Sequence, residues 1–132
     1  MDGLYYLHGK EILHNDIKSD NIVVHSSSGK FSLVLIDFGK ACLVKEGETK
    51  ALSSAEKSRY YKEHYHIAPE VIEGQFAQSI KSDVYSAGVV IASLFKFSKY
   101  RPLKELARHC LKPYLTRCTS KELSSLVSSL AM

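Results

Sequence analysis

The chain has 132 residues, 45% of them hydrophobic and 24% charged, which suits one globular domain with one core and is too short for two. Its formal charge of +4 comes from 18 Lys and Arg spread along the whole length rather than clustered, which argues against nucleic-acid binding. Cys42, Cys110 and Cys118 make an odd count in no C-x-x-C spacing, so neither a disulfide framework nor a zinc site is indicated and a reducing, cytoplasmic setting fits best.

Gly3 to Gly9 reads as the end of a helix, with Leu4, Leu7 and His8 on one face and Gly9 as its stop. The opening residues mix charges with apolar side chains and lack the apolar run and small-residue cleavage site of a secretory signal. Ile12 to His14, Ile22 to Val24 and Leu33 to Ile36 are short strand candidates, the last two forming a hairpin through the turn Ser26-Ser27-Ser28-Gly29. From Lys40 to Lys62 apolar periodicity is weak and Lys, Glu and Ser are frequent, which predicts a long, exposed and mobile loop. Ser82-Asp83 caps an apolar helix reaching about Phe97, and Leu103 to Leu111 and Ser120 to Leu130 are amphipathic helices punctuated by Pro102 and Pro113. The most apolar stretch, Val84 to Phe95, contains Ser86, Gly88 and Ser93 and has the length of a buried helix rather than a membrane span, so a soluble chain with no membrane partner is expected.

Chemistry concentrates in His14-Asn15-Asp16-Ile17-Lys18-Ser19-Asp20-Asn21, followed by the apolar Ile22-Val23-Val24. Turn chemistry alone could place Asp16, Asp20 and Asn21 in such a polar loop. Sixteen residues after Asn21 comes Asp37-Phe38-Gly39; further on stand Ala68-Pro69-Glu70, Ser82-Asp83-Val84-Tyr85-Ser86-Ala87-Gly88, and Arg117 followed by Thr119-Ser120-Lys121-Glu122-Leu123. In this order the five motifs resemble those of the eukaryotic-type protein kinase family, from the catalytic loop H-R-D-L-K-x-x-N to the R-P-S-x-x-E-L near its C-terminus.

The resemblance implies an α+β, mainly α-helical fold: a protein-kinase C-lobe with a small β-hairpin at the catalytic loop and no N-lobe. It spans residues 1–132, with the catalytic loop at 14–21, the activation segment at 37–70 and a helical subdomain at 82–132. It implies Asp16 as the base taking the hydroxyl proton, Lys18 as a charge beside the transferring phosphate, and Asn21 and Asp37 as ligands of Mg²⁺. Lys18, Asn21, Val23 and Asp37 would contact ATP, with Val23, Val90 and Leu94 on the adenine side. Phe38 is expected to enter the core and stack on His14, Asp83 to brace the catalytic loop, and Arg117 to pair with Glu70.

Several features depart from the family pattern. No Gly-rich loop, V-A-I-K lysine or partnering helix glutamate precedes the catalytic loop, so the chain alone is expected to bind ATP poorly and to expose an apolar face that a partner could cover. Asn15 replaces the Arg of H-R-D, a non-RD arrangement that removes the usual acceptor of an activation-loop phosphate, so Thr49, Ser53, Ser54 or Ser58 cannot switch activity through that contact. Lys18 favours a Ser/Thr acceptor, although 62–67 lacks the family's usual Gly-Thr. His64 and His66 have no third ligand nearby, and no metal is assigned to them. Between Phe97 and Leu103 the chain is too short for the family's usual substrate-docking helix. The leading expectation is a Ser/Thr-like protein kinase catalytic region using ATP, Mg²⁺ and a protein substrate; a non-catalytic binding module and a truncated gene product remain as alternatives.

Overall fold

The computed structural model describes residues 2–130, with the backbone alone at Asp2, Lys30, Phe31 and Leu130. Residues 1, 131 and 132, the outer bounds of the expected domain, lie outside the described residues. Helix α1 (Asp2–Gly9) inserts Leu4 and His8 inward. Gly9 is its last residue rather than its stop, because the left-handed conformation that turns the chain falls at Glu11, with φ 61°. The chain then runs through β1 (Ile12–Leu13) into the 14–21 loop, which ends in a 3₁₀ turn over Ser19–Asn21.

Strands β2 (Ile22–Ser27) and β3 (Lys30–Leu35) pair antiparallel, Ile22 opposite Leu35 and Val24 opposite Leu33. The strands are longer than the sequence indicates, since only Ser28 and Gly29, with φ 53° and 78°, form the turn. A two-residue hairpin turn of the type that matches strand twist needs positive φ at both positions, which Gly29 adopts freely.

The 40–62 segment corrects the expectation of a structureless loop. It holds β4 (Cys42–Leu43), paired with β1, a 3₁₀ turn over Val44–Glu46, and helix α2 (Ser54–Glu63). Ser53 caps α2 by accepting from Glu56 N–H, while the Glu56 carboxylate accepts from Ser53 N–H, so each satisfies the other's orphan donor. Tyr61 donates to Glu73 at 2.6 Å and Lys57 pairs with the same carboxylate at 3.2 Å, tying α2 to the end of α3 (Pro69–Ile72). Gln78 and Glu48 also bond reciprocally, pinning the chain ahead of α2.

Helix α4 (Ile80–Ser98) is the axis of the molecule. Its cap is Ser79, whose hydroxyl accepts from Ser82 N–H at 3.2 Å, and not the expected Ser82-Asp83. The cap one turn earlier leaves the Asp83 carboxylate available for other donors. Lys99, left-handed with φ 59°, ends α4, and α5 (Arg101–Cys110) and α6 (Ser120–Leu130) follow.

The core forms where α1, the 14–21 loop, α4, α5 and α6 converge, on Leu4, Ile17, Val84, Ile91, Leu106 and Leu123. Each such side chain contributes roughly 1.5–3 kcal/mol by leaving water. Helices α4 and α5 approach closely because Gly88 faces Cys110, and a Cβ at Gly88 would run into the Cys110 Cβ. Burial pushes the Cys110 thiol up to about 12, so it packs as an inert apolar group. Among the described residues no helix is long and apolar enough to cross a membrane.

Candidate functional site

The 14–21 loop is held from below by a buried carboxylate. Asp83, 1% exposed, accepts from the backbone N–H of His14 at 2.8 Å and of Asn15 at 2.9 Å. His8 completes the set, bridging Asp83 at 3.0 Å and Ser120 at 2.6 Å. A carboxylate at that depth is tolerable only with its lone pairs engaged, so the loop and the helix fix one another.

His14 then links the loop to the strand that leads to Asp37. Asp16 N–H donates to His14 Nδ1 at 3.1 Å, which places the ring proton on Nε2, and that atom donates to the Ile36 carbonyl at 2.9 Å. Ile36 N–H in turn donates to the Asn21 carbonyl at 2.9 Å, extending the hairpin ladder by one bond beyond the Ile22–Leu35 pair. Asn21 and Asp37 are thereby brought to the same base of the β2–β3 hairpin. Asn15 and Asp37 both sit at positive φ, 68° and 59°, a conformation that short polar side chains accept most readily after glycine.

Asp16, 6% exposed, is gripped at both oxygens. Asn21 Nδ2 donates to Oδ2 at 3.1 Å and to the Asp16 carbonyl at 2.8 Å, and the His66 ring lies 3.0 Å from Oδ1. Lys40 Nζ stands 3.9 Å from Oδ1. Burial alone would raise the Asp16 carboxyl, but the His66 hydrogen bond and the charges of Lys40 and Lys18 outweigh it and hold the group below its ordinary range. Burial pushes the His66 imidazole below its ordinary value, and Asp16 offsets only part of that. At neutral pH the pair is an ionised Asp16 accepting from the Nε2–H of a neutral His66.

The structure brings together Asp16, Asn21 and, through Ile36, Asp37. Lys18 is half-buried and close enough for its charge to act on both Asp16 and His66. Asp37 is exposed, and its Oδ1 accepts from Gly39 N–H at 3.1 Å. Val23 stands apart: it is Ile22 that lines an apolar cavity of about 330 Å³ with Val90 and Leu94, while Val23 is 44% exposed. Phe38 corrects the expectation of a core residue. It meets His14 edge to face at 5.0 Å but lines that same open cavity and is 48% exposed.

Arg117 grips Glu70 with two parallel hydrogen bonds, as the motif order indicates, and its ring-facing side lies 4.9 Å from the centroid of Tyr85. His66 and Lys40 become neighbours of Asp16 only through the fold; the only sequence cue is their position beside Ala68-Pro69-Glu70 and Asp37-Phe38-Gly39. Asn15, which replaces a familiar arginine, donates from Nδ2 to the Lys40 carbonyl at 3.0 Å and to Cys42 Sγ at 3.3 Å, so the amide ties the loop to the 40–42 segment without a phosphate.

Comparison with known proteins adds a family and its relatives. The profile of the family described as protein kinase domain matches residues 1–127. The chain is 36% identical over 84 residues to Calcium-dependent protein kinase 22 of Arabidopsis thaliana, covering 64% of the chain and 15% of that relative. It is 36% identical over 95 residues to Dual specificity testis-specific protein kinase 1 of Rattus norvegicus, covering 70% and 14%. It is 35% identical over 92 residues to Probable serine/threonine-protein kinase CCRP1 of Zea mays, covering 70% and 13%. The chain thus spans less than a fifth of the length of these relatives.

Proposed function

The chain belongs to the protein kinase family, and we propose that it is the chemistry-bearing C-lobe of a kinase that transfers the γ-phosphoryl group of ATP to a protein hydroxyl, of the Ser/Thr class. The carrying observation is the hydrogen-bonded Asp16–Asn21 pair, joined through Ile36 to Asp37 at one hairpin base. The 14–21 loop acts as the catalytic loop and 37–70 as the activation segment, and three unpaired thiols among the described residues suit a reducing cytoplasmic setting. Lys18 and the names of relatives such as that of Zea mays support the Ser/Thr acceptor.

The donor set fits Mg²⁺. Both amide hydrogens of Asn21 go to Asp16, so its oxygen is the atom left to face a cation, and Asp37 adds an exposed carboxylate. Among the described residues no three His, Cys, Asp or Glu gather as a metal site. Two hard oxygen donors, completed by phosphate oxygens and water, are what Mg²⁺ accepts. Bound Mg·ATP supplies the transferable phosphoryl group and neutralises its charge.

Asp16 takes the proton of the acceptor hydroxyl as its oxygen bonds to the γ-phosphorus, and the bond to the β,γ-bridging oxygen breaks, its electrons leaving with ADP. Lys18 places positive charge beside the transferring group. Asn21 also orients Asp16, and Asp83 holds the loop so that no reorganisation is needed at the moment of transfer.

A second reading, a non-catalytic docking module, is favoured by one observation: the hairpin carries Val24 and Leu33 at 61% and 65% exposure, an apolar face suited to a covering lobe or partner. Titrating Mg·ATP into the purified chain while following thermal unfolding separates the two. The kinase reading expects, at Mg·ATP concentrations high enough to overcome the poor binding of the chain alone, a rise in Tm that Asp37→Ala removes, together with phosphate transfer to casein that Asp16→Asn removes. No rise in Tm and no transfer would leave the docking module.

A further inference from the structure

We propose that His66 is a positioning residue for Asp16 and makes phosphoryl transfer sensitive to acid, an inference that rests on reading Asp16 as the proton acceptor. The two residues come from segments 50 positions apart, and both are buried. Asn21 holds Asp16 Oδ2 and His66 holds Oδ1, so the carboxylate plane is set from two sides. Each carboxylate oxygen keeps a further lone pair, which leaves room for the arriving hydroxyl.

His66 is itself anchored. Its backbone carbonyl accepts from the Ser86 hydroxyl of α4 at 2.6 Å, and its ring meets His64 edge to face at 6.1 Å. A chain of contacts therefore runs from the central helix through the end of the 37–70 segment to the carboxylate. Displacement of that segment moves the donor, and the donor sets the base.

The acid sensitivity follows from the charge on the ring. A neutral imidazole donates its hydrogen bond without a full charge, and Asp16 keeps its affinity for the hydroxyl proton. An imidazolium puts a positive charge 3.0 Å from Asp16 Oδ1, favours the ionised carboxylate and weakens it as a base. The groups acting on His66 are Asp16, which favours protonation, and Lys18 and His64, which oppose it along with burial; Lys40 lies on Asp16 itself.

The test combines the pH dependence of kcat, with Mg·ATP and casein, for the intact chain and its His66→Phe and His66→Gln variants, with ¹⁵N NMR titration of the histidine rings. His66→Phe is expected to lower kcat roughly tenfold or more with KM for ATP unchanged, since misplacing a catalytic group costs rate rather than binding. His66→Gln, which keeps a donor but cannot titrate, should restore most of the rate and move the acid limb down to the protonation of Asp16 itself. In the NMR arm His66 should show the Nε2–H tautomer and a midpoint that moves further down in Asp16→Asn. Wild-type kcat in His66→Phe, an acid limb in His66→Gln that begins at the same pH as in the wild type, or a His66 midpoint indifferent to Asp16→Asn each overturn the proposal. Intact NMR coupling in a chain that transfers no phosphate would overturn the kinase reading, and with it the effect on transfer, while supporting the Asp16–His66 pair.

Discussion

Arg117 reaches across 47 positions of sequence to hold Glu70 with hydrogen bonds of 2.7 and 2.8 Å, and it also donates to the carbonyls of Lys81 and Lys112. Both side chains are almost wholly withdrawn from water. The pair fixes α3 against the start of α4 and the turn before α6. Removing one partner strands the other as a buried charge, which costs about 3–5 kcal/mol, far more than the pair adds over an apolar substitute. Arg117→Met should therefore lower unfolding free energy by about that amount in urea denaturation, and Arg117→Lys should lose most of it too, because an ammonium cannot make the fork. A loss under about 1 kcal/mol would mean that the pair is not buried as described.

The Asp16–His66 pair predicts acid lability in two stages. His66 takes up a proton near 6.5 when unfolded but resists it to lower pH when folded, so in that interval the unfolded chain binds more protons and stability falls as pH falls. The depressed Asp16 carboxyl stabilises the fold above its unfolded value of 3.8, and this contribution disappears as pH drops through the lower folded value. Urea unfolding from about pH 7 to about pH 5 should show the first stage in the wild type and a shallower slope in His66→Gln. An equal slope in the two proteins would rule out His66 as its source.

At Gly88 two effects oppose one another. Replacing a mid-helix glycine with alanine gains roughly 1 kcal/mol in helix propensity, but here the new methyl runs into Cys110 of the neighbouring helix and Leu111 just beyond its end. Overpacking costs about 1–3 kcal/mol, so Gly88→Ala should be net destabilising. Gly3→Ala is the control: nothing lies within 4 Å of a Cβ there, and α1 should gain stability. Opposite signs of ΔΔG for the two variants would show that the α4–α5 approach, and not glycine content, decides.

What could be read from sequence divides along physical lines. The helices 101–110 and 120–130 and the hairpin follow from periodicity and turn chemistry, which are local. Helix α2 escapes periodicity: few apolar residues follow Ser53 and Glu56, and an exposed helix held by Tyr61 and Lys57 leaves little periodic trace. Asp16, Asn21 and Asp37 stand in motifs that flank one hairpin, so local chain geometry fixes their spacing. His66 lies 50 residues from Asp16, and only the fold brings the two together. The exposed Phe38 is of the same kind, because its burial depends on what covers the cavity it lines.

Asn15 offers a test of whether the 40–42 tether or the backbone conformation is its main contribution. Its side chain donates to the Lys40 carbonyl and to Cys42 Sγ, and its backbone sits at φ 68°. Glycine adopts that φ without strain but has no amide, so Asn15→Gly removes the tether without adding left-handed strain. Alanine loses the tether and adds a left-handed strain of roughly 1–2 kcal/mol. Asn15→Ala should consequently be less stable than Asn15→Gly by about that margin. The tether itself should appear in amide exchange: Cys42 and Leu43, paired with β1 through Leu13 and Ile12, should exchange faster in both variants than in the wild type. Equal exchange at Cys42 and Leu43 in Asn15→Gly and wild type would mean that the β1–β4 pairing holds the segment unaided, and a stability for Asn15→Ala equal to that of Asn15→Gly would mean that the loop relaxes out of its positive φ once the amide is gone.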